Sequence, residues 1–495
     1  MTKFFKLFIN ETIKILKKKS AMILIILAIL SLFLSLGFVK LIELEDNTYN
    51  NSSSISSKDE IQSEYDSIKK NLEFNSNAYT LSTLATMNAR KFQLELALKY
   101  DINIYADSSF SDNFWKNDVL EKIYNNYVDL YYLSDDTSSE AYVALSNKID
   151  KLIACIEANS FKSYINFQKE DLKNKLDSKT IAQNEYNDEL YILDLTEKYN
   201  LGEESNFDYS TILDEMSALK KNLRTGIDST TNKVLTNKKI KEINDTLKLD
   251  EYRLEHKIPI YSTSNNYSST YQTFSCSFAM FFVSLLGIIL AGTAVSSEFA
   301  KGTIKFWLML PAKRWKILLS KLCTIVVLVL LTTLIISIGG YIINSLFVTG
   351  NLESYLYVSN NEVKVLSPLL FNILLFLSYD IDIFVYILFA LMLSVLSRNS
   401  ALSVGVSIAL NVGSSTIMTL INYLVKSDWI KFIPFNNMNL TGKIFTNLNS
   451  YADIQAQSVY LNNVSIKFSL CVLAICSILM LITMFDSFNK RDITN

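Results

Sequence analysis

Asp380 and Asp382 stand inside a long apolar run. An ionised carboxylate is costly at that depth, so acids there are candidates for holding a cation or relaying a proton. On a helix, two residues apart means about 200° apart, so the pair cannot face one pore unless the helix breaks or the span begins later. Further along, Ser403, Ser407, Asn411 and Ser415 recur every four residues as a polar stripe, and Gly405, Ala409 and Gly413 make a small-residue stripe about 200° away. Small residues allow close helix approach and polar ones avoid lipid, so the Ser and Asn edge faces a substrate path or a neighbouring chain, or makes hydrogen bonds between helices. Other chemistries are poorly supplied. The single histidine, His256, and the cysteines Cys155, Cys276, Cys323, Cys471 and Cys476 build neither a metal cluster nor a disulfide framework nor a histidine-dependent triad. None of the twelve glycines stands in the phosphate-cradling arrangement G-x-x-x-x-G-K-[ST]. No catalytic residue, metal or bound cofactor is therefore expected in this chain.

The elements that carry these residues are set by hydropathy. Ile258 to Ser297 is forty residues without a charge, and Leu322 to Asn351 is thirty more. A soluble core helix needs a polar face, whereas a bilayer core of about 30 Å needs roughly 20 apolar residues. Six segments qualify, near 20–42, 276–297, 320–347, 368–397, 400–425 and 467–486. The average net charge of -2 hides an asymmetry: residues 43–273 carry 26 Lys and Arg against 39 Asp and Glu, and the remainder carries 21 against 10. Lys3, Lys6, Lys14, Lys17, Lys18 and Lys19 precede the first span. Lys301, Lys305, Lys313, Arg314 and Lys316 fill the loop after the second, Arg398 sits between the fourth and fifth, and Lys490 and Arg491 follow the last. Positive charge marks the cytoplasmic side, so both termini are expected there and residues 43–273 outside, in a plasma membrane. The nineteen residues Ala21 to Val39 exceed the roughly 7 to 15 of a signal peptide core and read as a retained anchor.

Upstream of that anchor, Phe4, Phe5, Leu7, Phe8, Ile13, Ile15 and Leu16 alternate with lysines, which suits residues 1–19 to a helix lying in the inner headgroup layer. Residues 43–273 are bracketed by polar stretches at Asn47 to Ser57 and Ser262 to Phe274, which read as flexible stalks. Between them, helical spacing appears in Ile61, Tyr65, Ile68 and Leu72, and in Ile149, Leu152, Ile153 and Ile156. A mainly helical domain is expected, with a small mixed element between about 75 and 135. Residues 426–466 are too polar to cross and read as a re-entrant or outer-surface segment, leaving 487–495 as a cytoplasmic tail. The fold class is thus mainly α, a six-helix polytopic membrane protein with a large, mostly helical extracytoplasmic domain.

The basic loop within 298–318 is the most distinctive stretch. Glu298, Gly302, Thr303, Pro311, Arg314 and Lys321 make the pattern E-x3-GT-x7-P-x2-R-x6-K, which resembles the loop after the second span in type 2 ATP-binding cassette (ABC) exporter permeases. One span, a large outer loop and five further spans is similar to a bacterial layout of that family. The resemblance covers the membrane half of the chain. It implies a coupling helix that docks on a separate cytosolic ATPase, with two ATPase copies, a second permease chain, identical or homologous, and ATP and Mg held by the ATPase.

The residues suit that role. Phe306, Trp307, Leu308 and Leu310 form an apolar ridge that needs a cover, and Trp with Arg is common chemistry for an anchoring contact. Lys301, Lys305, Arg314 and Lys316 would meet an acidic rim, and Pro311 would stop the helix. The other reading puts the aromatics in the interfacial belt and the lysines on anionic lipid. The expectation is a non-catalytic transport subunit with ATPase, permease and lipid partners and no nucleic acid. The alternatives are a surface scaffold, secretion accessory or phage-receptor-like protein of the same layout, or a peptide sensor that signals through an ATPase.

Overall fold

A computed structural model of the chain describes residues 2–53, 57–75, 79–105, 115–203, 209–258, 267–303, 313–350, 352, 354–425, 427–445 and 464–490. The chain divides into two compact units, one of residues 1–44, 264–355 and 365–495, the other of residues 45–263 and 356–364. It begins with α1 (Thr2–Leu16) and α2 (Lys19–Ser53), the latter apolar as far as Glu45. Residues 47–53, expected as part of a flexible stalk, instead continue α2. Extending a helix already nucleated by a long apolar stretch costs far less than starting one, so even Asn and Ser are carried along.

The second unit is an array of helices: α3 (Ser57–Asn75), α4 (Leu81–Lys99), α5 (Trp115–Tyr132), α6 (Glu140–Glu157), α7 (Phe161–Asp177), α8 (Gln183–Lys198), α9 (Ser210–Thr225) and α10 (Asn237–His256). Each packs on the next in sequence. Thr80, Ser139, Ser160 and Thr236 cap the starts of α4, α6, α7 and α10 by accepting a backbone N–H, which meets donors the helix itself leaves unpaired. Ile61, Ile149, Leu152 and Ile156, placed on helical faces by their spacing, are buried in one core with Leu94, Trp115, Leu120 and Phe161. A second core gathers Leu195, Leu201, Ile212, Met216 and Leu254. The region 75–135 contains only helices among its described residues; the strand pair β1 (Ile227–Asp228) and β2 (Lys233–Val234) forms instead after α9, where Gly226 at φ +69° turns the chain.

Gly202 has a tighter reason to be glycine. A Cβ there would lie 2.1 Å from Cε2 of Phe161, so Gly202→Ala is expected to destabilise this unit by about 1–3 kcal/mol through overpacking. Gly405→Ala, where a Cβ meets nothing within 4 Å, is the neutral control; thermal unfolding of both full-length variants checks the difference.

In the membrane unit, α11 (Tyr267–Ala294) is followed by short α12 (Ser296–Ala300), then α13 (Arg314–Phe347), α14 (Pro368–Ser397), α15 (Ser400–Leu424), short α16 (Leu440–Ile444) and α17 (Ile466–Lys490). Among the described residues, six helices, α2, α11, α13, α14, α15 and α17, are long and apolar enough to cross a membrane. Of these, α14 packs against α11, α13, α15 and α17. The most enclosed helices are α11 and α14, whereas α2, α15 and α17 expose most of their apolar surface, as lipid-facing helices do. Pro368 stands at the first turn of α14, where its missing N–H costs nothing. At the other end Arg398 is left-handed (φ 54°) and Asn399 caps α15 by accepting from Ala401 N and Leu402 N, so the two helices join through a two-residue turn.

Two connections depart from expectation. The span after the loop starts at Arg314, six residues earlier than 320, which takes Arg314 and Lys316 into the helix. Between α13 and α14 the chain forms a hairpin of β3 (Tyr355–Ser359) and β4 (Glu362–Leu366), turned by Asn360 and Asn361, both at positive φ as a tight primed turn requires. Of the segment expected as re-entrant, residues 427–445 form two single 3-10 turns and α16, and 446–463 lie outside the described residues.

Candidate functional site: a buried charge cluster at the root of the 298–316 loop

On α1, Leu7, Glu11 and Ile15 are spaced by four and share one face. All three are buried, while Phe5, Ile9, Ile13 and Leu16 are exposed. The buried face packs along α13, and the exposed apolar face suits the headgroup layer of a bilayer. Two turns into α13, the ammonium of Lys321 lies 2.9 Å from Oε1 of Glu11 and 2.8 Å from Oε1 of Glu298 on α12. These three side chains are 3–4% exposed. Lys14, 43% exposed, donates to the same oxygen of Glu298 from the solvent side. Two carboxylates are therefore matched by two ammonium groups, which offsets the several kcal/mol that desolvating each ion costs. Lys18 stands beside them with its Nζ 3.4 Å from Thr293 Oγ1. Burial first, then repulsion from Lys14 and Lys321, lowers its pKa.

The opposite side of α12 is held as well. Ser394 Oγ of α14 accepts from Val295 N at 3.3 Å and Ser296 N at 3.0 Å, and Ser296 Oγ lies 2.7 Å from Ser400 Oγ. The guanidinium of Arg398 sits 4.6 Å from the ring centre of Phe299, within range of a cation–π attraction. Gly302, at φ +68°, ends α12 in the left-handed conformation, its N–H donating to Phe299 O at 3.1 Å. Thr303 Oγ1 returns to Glu298 O at 3.4 Å. In the E-x3-GT part of the pattern the acid thus anchors, the glycine makes the exit and the threonine bonds back to the acid's own carbonyl.

The remaining site residues are distributed as follows. Glu298, expected on a docking surface, is buried as a tie between helices. Arg314 Nη1 donates to Asn489 O of α17 at 3.3 Å, and its neighbour Trp315 is 40% exposed. Phe306, Trp307 and Pro311, with Lys305, Leu308 and Leu310, lie outside the described residues. Asp380 and Asp382 occupy an unbroken α14 and face different neighbours, as a 200° separation demands. Asp380 Oδ1 accepts from Thr333 Oγ1 at 2.9 Å; Asp382 Oδ2 accepts from Asn439 N at 2.9 Å and Leu440 N at 3.4 Å, at the start of α16.

On α15, Ser403 and Ser407 are buried and Asn411 Nδ2 donates to Ser284 Oγ of α11 at 2.6 Å, but Ser415 is exposed. Steps of four residues drift by about 40° each, so the stripe has rotated about 120° by Ser415. Ser414, eleven residues from Ser403, returns to its line, is buried and bonds Tyr386 at 2.8 Å. Ser403 Oγ lies 3.2 Å from Ser397 Oγ of α14, whereas Ser407 Oγ is buried without a hydrogen-bond partner among the described residues.

Sequence reasoning missed Glu11. It is the one acid among the first 42 residues, and its place four residues from both Leu7 and Ile15 was the signal that it lies on the packed face. Lys321, its cation, and Glu298, the other carboxylate on that cation, are the last and first residues of the loop pattern.

Six apolar helices joined by buried polar ties define an integral, multi-pass, mainly α membrane protein. A family profile described as "Protein of unknown function (DUF2705)" matches residues 243–494, just over half of the chain, and the chain belongs to that family. It is 33% identical over 255 residues to a Bacillus subtilis (strain 168) protein named "Uncharacterized protein YhcI", an alignment covering 51% of this chain and 76% of the relative. It is 31% identical over 209 residues to "Uncharacterized membrane protein YdbK" of the same organism, covering 42% of this chain and 76% of the relative. Glu298 and Lys321 lie inside the family match; Glu11 and α2 to α9 lie outside it.

Proposed function

We propose that this chain is the permease subunit of an ABC exporter in the plasma membrane, driven by two copies of a separate cytosolic ATPase and paired with a second permease chain. The distribution of Lys and Arg supports cytoplasmic termini, a cytoplasmic 298–316 loop and an extracytoplasmic helical domain. One observation carries the reading: Glu298 and Lys321, the two ends of E-x3-GT-x7-P-x2-R-x6-K, meet in a buried ion pair shared with Glu11. That pairing supplies a mechanical reason for the spacing of the pattern. A loop closed at its root and fastened to α1, α13 and the α14–α15 turn transmits a pull to the membrane helices, whereas a slack loop would absorb it.

In this mechanism ATP and Mg stay on the partner. Closure of the ATPase pair draws on residues 304–316, and the tied root passes the displacement to α11 and α13, which changes access to a cavity between two permease chains. Trp307→Ala and Arg314→Ala are expected to lose a co-purifying ATPase by weakening the dock, by about 2 kcal/mol or more for a central anchor of either type, while the permease itself still folds. Retention of the ATPase by both variants, or purification of the native particle with no nucleotide hydrolase, overturns the assignment. ATP-dependent flux in reconstituted vesicles then separates a transporter from a scaffold or a sensor.

A further inference from the structure

Within the helical unit, α4, α5 and α7 of the first core and α8 and α9 of the second line a groove of about 970 Å³. This is near the upper end of the roughly 300–1,000 Å³ of ligand clefts, which favour such boundaries between packed bodies. Beneath its surface Trp115, Phe161 and Tyr164 are buried and stiffen the base, with the Trp115 ring 5.8 Å from that of Tyr164 and 6.0 Å from that of Phe161. Met87, Tyr124 and Leu213 are half-buried and give the groove its accessible apolar lining.

The charges around this groove do not balance. Arg90 is already committed to Glu64 by two bonds, Nε to Oε1 at 2.9 Å and Nη2 to Oε2 at 3.0 Å. Asp118 is committed to Lys122 at 3.0 Å and to the Tyr164 hydroxyl. Glu121 and Asp214 are exposed at the groove and form no ion pair among the described residues. The unit around them is strongly acidic, with 39 acids against 26 bases over residues 43–273, so its field draws cations toward the opening. An anionic lipid headgroup would be repelled by the same field. A metal ion would leave the apolar lining unused. A ligand that is at once cationic and apolar, and several residues long, answers all of these features.

We propose that this groove binds a short cationic amphipathic peptide, its Lys or Arg side chains on Glu121 and Asp214 and its apolar side chains against the half-buried Met87, Tyr124 and Leu213. The proposal is independent of the permease reading, because it needs neither an ATPase nor transport.

The test uses full-length protein in nanodiscs and a fluorescein-labelled octapeptide of alternating lysine and leucine, with empty nanodiscs subtracted. Saturable binding that weakens with salt is expected. Glu121→Gln combined with Asp214→Asn, both at exposed positions, should weaken it about tenfold, as two partly screened charge contacts would. An octapeptide with glutamate in place of lysine should not bind. Equal affinity in the double variant, equal binding of the glutamate peptide, the absence of saturable binding, or displacement of the probe by phosphatidylglycerol alone overturns the proposal.

Discussion

Lys321→Met is expected to destabilise the membrane unit by roughly 3–5 kcal/mol, because it leaves two buried carboxylates without their shared cation. Lys14 compensates little: it is 43% exposed and reaches Glu298 from outside, with Glu11 3.8 Å away. The informative comparison is the triple variant Glu11→Leu, Glu298→Met and Lys321→Met, which removes all three enclosed charges. Replacing a buried ion network by apolar residues of similar volume is often neutral or stabilising, so the triple variant should unfold near the wild-type temperature in detergent. If the single variant also unfolds there, the cluster is hydrated and the loop root is not tied as described.

The second expectation concerns pH. Asp250 on α10 is fully buried, with its Oδ1 2.7 Å from Arg253 Nη1. Burial, then repulsion from Glu215, raises its pKa to about 7 against an offsetting pull from Arg253. Its ordinary value in an unfolded chain is about 3.9. Between those values the folded state binds more protons than the unfolded state, so the contribution of Asp250 to stability is greatest below about 4, falls as pH rises, and levels off above about 7. A separation of about three pK units corresponds to at most about 4 kcal/mol. Asp250→Asn has no such titration, so the difference in unfolding free energy between wild type and variant should swing by up to that amount from pH 4 to pH 7. Taking the difference cancels the opposing trend from carboxylates such as Glu64, which the Arg90 hydrogen bond holds below the usual range. A difference that stays flat across the window would mean that Asp250 is ionised in the fold throughout.

The membrane helices could be read from sequence because lipid leaves a mark that depends on no partner: a charge-free run is visible without knowing what it touches. That is why α14 starts and ends where its apolar run does, at Pro368 and Ser397. The helical cores around Ile61 and Leu152 were readable for a related reason, since period alone puts such residues on one face. What escaped was whatever depends on distant residues. Glu11 meets an ammonium 310 positions away, and although its spacing from Leu7 and Ile15 marks a packed face, nothing local tells what it meets there. The hairpin at 355–366 did carry a local signal, Asn360–Asn361 between alternating residues, and the connection over residues 348–367 is longer than a plain loop usually is. The stripe on α15 was displaced by treating a repeat of four as though it were a full turn, which exchanged Ser415 for Ser414.

The separation of Glu11 from Lys321 also sets an order of events during synthesis. The helix α1 is made long before Lys321, the enclosed cation that Glu11 shares with Glu298, which is translated only after the entire helical domain. Until then its acid has only water and its neighbouring lysines for company, and the helix can float along the lipid surface without a seat. Its docking therefore reports that the nascent polypeptide has been made through residue 321, and a chain truncated before that point should present the same helix to any protease that patrols the membrane.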